Sequence, residues 1–190
     1  MRKSCIVLFL LLSAGPLAAG EDSAAVWDKL REGGRVALVR HGEAPGGVGD
    51  PPGFRLDDCA TQRNLSDQGR AEARSLGERL RAERIAVGKL MSSQWCRCRE
   101  TAALLDVGPV EPAPTFDNAF VLRARVAELT AGARSVIAAW KGPGVLVVVT
   151  HGANIHALVG IQPAEAELVV VEPDAAAAAK LRVLGRIPPG

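Results

Sequence analysis

Three features on which other classes of protein depend are scarce in this chain of 190 residues: long apolar segments, an excess of one charge, and cysteine. The compact apolar run at residues 6–12 is much shorter than the ~20 residues that a membrane-spanning helix needs. Aromatic residues make up only 4% of the chain, and no basic stripe is interleaved with them, so we expect no nucleic-acid partner. Hydrophobic residues still make up 48%, which is enough for the core of one globular domain.

The first 20 residues are typical of a secretory signal peptide. Arg2 and Lys3 precede the apolar run, and small residues around Ala19 follow it, so we expect cleavage between about residues 19 and 25. An uncleaved membrane anchor is the alternative. The predicted peptide carries two basic residues and no acid, so its removal lowers the formal net charge from +2 to zero. We therefore expect a periplasmic or secreted protein without stable membrane insertion after processing.

Four cysteines are present, and loss of Cys5 with the signal peptide leaves three. In an oxidising compartment we expect one disulfide, between Cys59 and either Cys96 or Cys98, with one thiol left over. A zinc site is the competing interpretation. We predict no metal site, because a Cys-x-Cys pair without a second pair or a nearby histidine has poor spacing for tetrahedral coordination.

Segments with strand and helix patterns alternate along the chain. We predict strands at residues 35–39, 89–92 and 145–149, with weaker ones at 167–171 and 181–184. We predict helices at residues 23–31, 66–84, 95–105 and 120–140, and another from about residue 154. This alternation indicates an α/β fold of three layers, in which helices cover both faces of a mainly parallel central sheet.

Breaks in these patterns suggest the limits of the domain. We expect one domain over residues 21–186 and a flexible tail at 187–190. The segment 42–60, rich in Gly, Pro and Asp, predicts a long loop, and loops of this length in compact domains are usually functional or mobile. Prolines at 109, 112 and 114 predict extended or irregular structure there.

Two predicted strands end in similar tripeptides, Arg40-His41-Gly and Thr-His151-Gly. Ligand sites in open α/β sheets lie beyond the carboxyl ends of the strands, so both histidines are expected in one crevice. A lone histidine at a strand end is more often structural. Two of them, each between an apolar strand and a glycine, favour a functional role.

Arg97 follows a third predicted strand, on the first turn of a predicted helix, so its guanidinium is expected at the same edge of the sheet. Together with Arg40 and the helix N-terminus it would form a site for a phosphate-like dianion, because the planar guanidinium matches phosphate oxygens in pairs. The alternative for Arg97 is an ion pair with Glu100 on its own helix.

The sequence resembles the histidine phosphatase superfamily, also called the phosphoglycerate-mutase-like fold. The resemblance covers most of the chain up to about residue 160 and rests on four blocks in the order of the family. The blocks are residues 39–43 (Val-Arg-His-Gly-Glu), 64–70 (Asn-Leu-Ser-Asp-Gln-Gly-Arg) with Ala73, 92–102 (Ser-Ser-Gln-Trp-Cys-Arg-Cys-Arg-Glu-Thr-Ala) and 149–152 (Val-Thr-His-Gly). The loop at 56–63 and the signal peptide make it similar to the envelope branch that includes lipopolysaccharide core heptose-phosphate phosphatases.

The resemblance implies a phosphatase that needs neither metal nor cofactor. His41 would attack phosphorus as a neutral imidazole, while Arg40, Arg97 and His151 would hold the phosphoryl oxygens. Arg63 and Asn64 are candidates for lining the pocket.

Many relatives carry an acidic residue that protonates the leaving oxygen. Asp117 stands at this place in the order but outside any recognisable motif, and a turn residue beside Asn118 is the alternative interpretation. Without such an acid, good leaving groups, such as those of phosphoramidates, would be favoured.

Three hypotheses follow. The first is a phosphomonoesterase acting on a small-molecule or glycan phosphate, such as a cell-envelope sugar phosphate. The second is a phosphohistidine or phosphoramidate phosphatase, and the third is a phospho-ligand-binding protein without turnover. The natural substrate and the oligomeric state are left open by the sequence.

Overall fold

The computed structural model describes residues 18–173 and 181–190. Most of the predicted signal peptide and the alanine-rich run at 175–179 therefore lie outside the described residues. The elements in chain order are α1 (Ala18–Arg31), β1 (Val36–Arg40), α2 (Asp67–Ala82), β2 (Val87–Ser92), α3 (Cys96–Leu105), β3 (Val110–Pro112), α4 (Val126–Ala139), β4 (Val145–Thr150), α5 (Gly152–Val159), β5 (Leu168–Glu172) and β6 (Arg182–Ile187). In the described part of the chain, no helix combines the length and apolar character needed to cross a bilayer.

The strands form one sheet in the order β3-β2-β4-β1-β5-β6. The four strands from β3 to β1 are parallel, and β5 and β6 continue the sheet in antiparallel fashion. The prediction of a mainly parallel α/β sheet is therefore confirmed. The short strand β3 was predicted only as extended or irregular structure. It forms at the edge of the sheet, where a proline is tolerated because its missing N–H does not interrupt the hydrogen bonds between inner strands.

Helices cover both faces of the sheet, as predicted. Ala37 and Val39 of β1 belong to a buried cluster that α1, α2 and α3 cover, whereas Val36 and Leu38 belong to a second cluster covered by α4 and α5. A strand that is buried on both faces needs apolar residues at every position. This explains why β1 and β4 are continuous apolar runs rather than alternating ones.

Three predicted boundaries were wrong. Helix α1 begins at Ala18 rather than at residue 23. Helix α4 begins at Val126 rather than near residue 120, because the side-chain oxygen of Asn118 accepts hydrogen bonds from the backbone N–H groups of Phe120 and Val121 and holds a turn there. The predicted tail begins too early, since Ile187 is the last residue of β6, pairs with Leu168 and is fully buried.

The first turn of α2 lies directly against the chain that leaves β1. Ser66 caps this helix by accepting a hydrogen bond from the N–H of Gly69, and its own N–H donates to the carbonyl of Glu43. A Cβ atom at Gly42 would overlap the carbonyl of Gly69, and a Cβ atom at Gly69 would overlap the carbonyl of Glu43. Glycine at both positions therefore lets two backbones touch beside His41.

We expect Gly69→Ala to lower the free energy of unfolding by about 2 kcal/mol, measured by urea denaturation, because the new methyl group forces these backbones apart. Alanine is otherwise the better helix former by about 1 kcal/mol, so a loss of stability isolates the contact. Arg74→Ala, on the exposed face of the same helix, serves as the control and should change stability by less than about 0.5 kcal/mol. Equal or greater stability of Gly69→Ala would contradict the close approach.

Candidate active site

The carboxyl ends of three neighbouring strands bring the predicted residues together. His41 follows β1, His151 follows β4, and Ser93 follows β2. The N–H of His41 donates to the carbonyl of Thr150 at 3.0 Å, and the rings of the two histidines meet edge to face with their centroids 5.4 Å apart. Both histidines are 3% exposed.

The ring of His41 is held in one orientation. Its Nδ1 lies 2.8 Å from the carbonyl oxygen of Gly42, so Nδ1 carries the proton and Nε2 keeps its lone pair. This lone pair accepts a hydrogen bond from the Nε of Arg97 at 3.3 Å. Burial, together with the charges of Arg97 and Arg40, lowers the pKa of His41 to about 3. The imidazole is therefore neutral at physiological pH, as a nucleophile must be.

The side chain of Arg97 is fully buried beside His41, and its ion-pair partner is Asp50 rather than Glu100. Its Nη1 and Nη2 donate to the two carboxylate oxygens of Asp50 at 2.7 and 3.2 Å. Glu100 pairs instead with Arg70, so the alternative prediction for Arg97 was wrong. The bidentate pair leaves the Nε edge of Arg97 directed at the nucleophile.

Asp50 was not identified in the sequence because it stands in the predicted loop, outside every motif. Its carboxylate also accepts hydrogen bonds from the indole of Trp95 at 2.9 Å and from the N–H of Arg63 at 3.1 Å. Burial alone would raise the pKa of Asp50, but the hydrogen bonds and the charge of Arg97 outweigh this effect and hold its pKa below the usual value. Asp50 therefore stays ionised and fixes Arg97 in place.

Arg40 and Arg63 line the same cleft. Arg40 donates to the carbonyl of Pro163 and to the carboxylate of Glu165, both at 2.8 Å. Arg63 donates through Nη1 to the carbonyls of Ala44 and Gly47, while its buried Nε has no partner among the described residues. The cleft thus collects three guanidinium groups with only two facing carboxylates, those of Asp50 and Glu165.

A hydrogen-bonded chain leads away from His151. Its Nε2 lies 3.0 Å from the Oγ of Ser93, which donates to the carboxylate of Asp117 at 3.1 Å. Burial, with smaller contributions from His41 and Arg97, lowers the pKa of His151 well below 6.5. Without an anion in the site, the second histidine is therefore also neutral. A bound anion is needed to favour a proton on this ring.

The structure does not bring Asp117 to the cleft. Its carboxylate also accepts a hydrogen bond from the backbone of Gln94, and burial raises its pKa. The cleft of about 300 Å³ is lined by Arg40, His41, Gly47, Val48, Gly49, Arg63, Arg97, Asn118, Phe120, His151, Gly152, Ala153, Gln162 and Glu165. The carboxylate on this surface is that of Glu165, which no sequence pattern marked.

Asn64 is also placed outside the cleft. Its amide donates to the carbonyls of Cys59 and Gln62, and it lines a separate cavity of about 760 Å³ that contains neither catalytic candidate histidine. Asn64 also lines a third cavity together with Val48 and Arg63, which belong to the cleft as well, so it lies beside the cleft and its role in substrate binding stays a prediction.

The disulfide joins Cys59 to Cys96 and leaves Cys98 as the free thiol. It ties the loop that carries Asp50 to the residue before Arg97, so both members of the buried ion pair are anchored. Burial raises the pKa of Cys98 to about 12, so this thiol beside His151 is inert.

Comparison with known proteins gives a family match over residues 36–120, to the histidine phosphatase superfamily (branch 1). A search of curated sequences finds no match. The tungstate complex of the protein histidine phosphatase SixA is 16% identical with a TM-score of 0.54, covering 82% of this chain and 97% of its own.

Two further solved structures share the fold. A mycobacterial glucosyl-3-phosphoglycerate phosphatase is 18% identical with a TM-score of 0.55, covering 78% of this chain and 96% of its own. A phosphoserine phosphatase from Entamoeba histolytica is 12% identical with a TM-score of 0.55, covering 80% and 95%. At these identities the likeness concerns the fold.

We expect the imidazole NMR resonances of His41 and His151 not to titrate between pH 5 and 8, because both pKa values are lowered by burial. Below pH 6.5 the unfolded chain takes up protons at these residues and the folded chain does not. The free energy of unfolding should therefore fall as the pH is lowered from 6.5 towards 3.

His41→Asn and His151→Asn variants assign the two resonances in this titration. A midpoint near pH 6.5 for either histidine would contradict the described environment.

We expect Asp50→Asn to lower the free energy of unfolding at pH 7 by about 3 kcal/mol, because it leaves the buried Arg97 without its charged partner. Inorganic phosphate should stabilise this variant more than the wild type, since the anion can take the place of the lost carboxylate. Urea denaturation with and without phosphate measures both effects.

Asp28→Asn is the control for Asp50→Asn, because it breaks the exposed pair between Asp28 and Arg31 and should cost less than about 1 kcal/mol. Equal stability of Asp50→Asn and wild type would show that the buried pair contributes nothing.

Proposed function

We propose that this chain is a phosphatase of the histidine phosphatase superfamily, whose model matches residues 36–120, and that it hydrolyses a phosphomonoester through a phosphohistidine on His41. The observation that carries the proposal is the neutral, oriented imidazole of His41, whose Nε2 lone pair faces a guanidinium at the base of a cationic cleft. A neutral nitrogen nucleophile beside fixed cations is the arrangement that phosphoryl transfer requires.

In the first step, Nε2 of His41 forms a bond to phosphorus and the bond between phosphorus and the leaving oxygen breaks. The Nε edge of Arg97, the guanidinium groups of Arg40 and Arg63, and His151 contact the phosphoryl oxygens where negative charge develops. The arriving dianion also opposes the effect of burial on His151, which can then donate a proton in a hydrogen bond to phosphate. In the second step, water attacks the phosphohistidine and releases inorganic phosphate.

The leaving oxygen needs a proton from a group on the cleft. Glu165 supplies the carboxyl group there, and in the free protein it is paired with Arg40. A bound phosphoryl group competes for Arg40 and so frees Glu165, which takes up a proton from solvent, gives it to the leaving oxygen, and accepts a proton again from the water of the second step. This assignment replaces Asp117, whose carboxylate is turned to Ser93 and away from the cleft.

We assign the protein to the periplasm or the exterior of the cell and its substrate to cell-envelope sugar phosphates. The support is the N-terminal sequence pattern and the disulfide between Cys59 and Cys96, a bond that persists in oxidising compartments. Three guanidinium groups suit a phosphate dianion without a bound metal ion.

A phosphohistidine or phosphoramidate phosphatase is the second candidate. The position of Asp117 favours it, because a site without a strong acid hydrolyses phosphoramidates more readily than alkyl phosphates. The name of the SixA neighbour, a protein histidine phosphatase, points the same way.

The test is phosphate release from 4-nitrophenyl phosphate by the purified protein in the presence of a chelator. We expect His41→Ala to lower kcat/KM by at least about 1000-fold, because it removes the nucleophile. His156→Ala is the matched control, since His156 is an exposed histidine on α5 that does not line the cleft.

Loss of activity in the presence of the chelator would contradict the mechanism. Full activity of His41→Ala would contradict it as well. Phosphate affinity without turnover in the wild type would identify a binding protein instead. A much higher rate on free phosphohistidine than on glucose 6-phosphate would favour the second candidate.

A further inference from the structure

The mouth of the cleft is apolar, although its base is cationic. Three large hydrophobic side chains are exposed in the described part of the chain: Val48 at 81%, Phe120 at 39% and Leu56 at 37%. Two of them, Val48 and Phe120, line this cleft. Exposed apolar groups concentrated at the mouth of a site mark a surface that a ligand covers.

The position of Val48 is fixed by the backbone around it. Gly46, Gly47 and Gly49 have φ angles of +105°, +84° and +85°, a region that other residues rarely adopt. The carbonyl of Gly47 accepts a hydrogen bond from Arg63 at 2.6 Å, which fastens this turn to a side chain of the cleft. The turn therefore presents Val48 at the mouth in a defined position.

The ring of Phe120 is also held in a fixed position before any ligand binds. Its backbone N–H donates to the side chain of Asn118 at 3.0 Å, and its carbonyl accepts from the Nε of Arg123 at 3.1 Å. The guanidinium of Arg123 lies over the ring, 4.6 Å from its centroid. An aromatic platform fixed in this way loses little conformational entropy when a ligand packs against it.

Polar groups lie beside this platform. Gln162 is exposed on the cleft, and its amide has no hydrogen-bond partner among the described residues. The carboxylate of Glu165 is 37% exposed on the same surface. An aromatic face next to an amide and a carboxylate suits a molecule with an apolar face and a hydroxylated edge, whereas a purely apolar leaving group would offer the amide of Gln162 no hydrogen bond.

We propose that Phe120 is the specificity-determining residue of this site, and that it binds the ring of a sugar phosphate while Gln162 pairs with ring hydroxyls. The inference rests on the proposed function and identifies the leaving group of the reaction as a single sugar ring. A cleft of about 300 Å³ is in keeping with a group of this size. That volume is at the small end of ligand pockets, which excludes a long glycan chain from the enclosed part.

The test compares glucose 6-phosphate with glycerol 3-phosphate. Both are dianions with a primary alkoxide leaving group, and only the first has a ring. We expect the wild type to prefer glucose 6-phosphate and Phe120→Ala to reduce the ratio of kcat/KM values by roughly ten-fold, through a higher KM for the ring substrate. Phe120→Trp should keep the preference, and Phe120→Leu should lose it, although it retains apolar bulk.

Leu56→Ala is the matched control, because it removes a similarly exposed apolar side chain, in the loop between β1 and α2, that does not line the cleft. Its substrate ratio should equal that of the wild type. If Phe120→Ala lowered kcat/KM by the same factor for both substrates, their ratio would be preserved. That result would overturn the role of Phe120 and leave the proposed function standing.

A wild type that hydrolyses 4-nitrophenyl phosphate but does not prefer glucose 6-phosphate would overturn the sugar assignment. A wild type that releases phosphate from none of the three would overturn the proposed function, and the inference with it.

Discussion

Parallel pairing of β1 with β4, from Val36 beside Leu146 to Arg40 beside Thr150, sets the position of the catalytic candidates. The register ends both strands at the same level, so the residues that follow, His41 and His151, meet although 110 positions separate them. A slip of one residue would turn each strand's side chains to the opposite face and separate the two rings. A slip that drew Arg40 into the place of Val39 would bury its guanidinium in the apolar interior, and the cost of that burial opposes the slip.

The electrostatics of the cleft follow from this burial. Two buried imidazoles lie beside three guanidinium groups, and the imidazoles give up their protons because the neutral form is less costly there. The guanidinium groups cannot do so, and they are held by Asp50, Glu165 and backbone carbonyls. A phosphate dianion that binds there reduces their mutual repulsion, so the occupied site is electrostatically more stable than the empty one.

The parts of the site that the sequence could predict are those that repeat a physical pattern. Apolar runs ending in His-Gly located His41 and His151, and a helix start located Arg97, because strands and helices impose a period on the residues that form them. Asp50 and Glu165 lie in loops, where no period constrains which side chain turns inward. Asp117 shows the same limit: its place in the chain order suggested it as the acid, but its carboxylate binds the Oγ of Ser93 and the backbone N–H of Gln94.

The long segment between β1 and α2 explains how a site built on loops can still be ordered. The disulfide fastens Cys59 to the first residue of α3, the side chain of Gln62 accepts a hydrogen bond from the N–H of Cys96, and Asp50 binds Arg97 from the same segment. All three ties converge on the first turn of α3, which carries the cation that faces His41. A segment with little secondary structure is thereby as fixed as the helix it contacts. The strands can then supply the chemistry while the loop determines which leaving group fits.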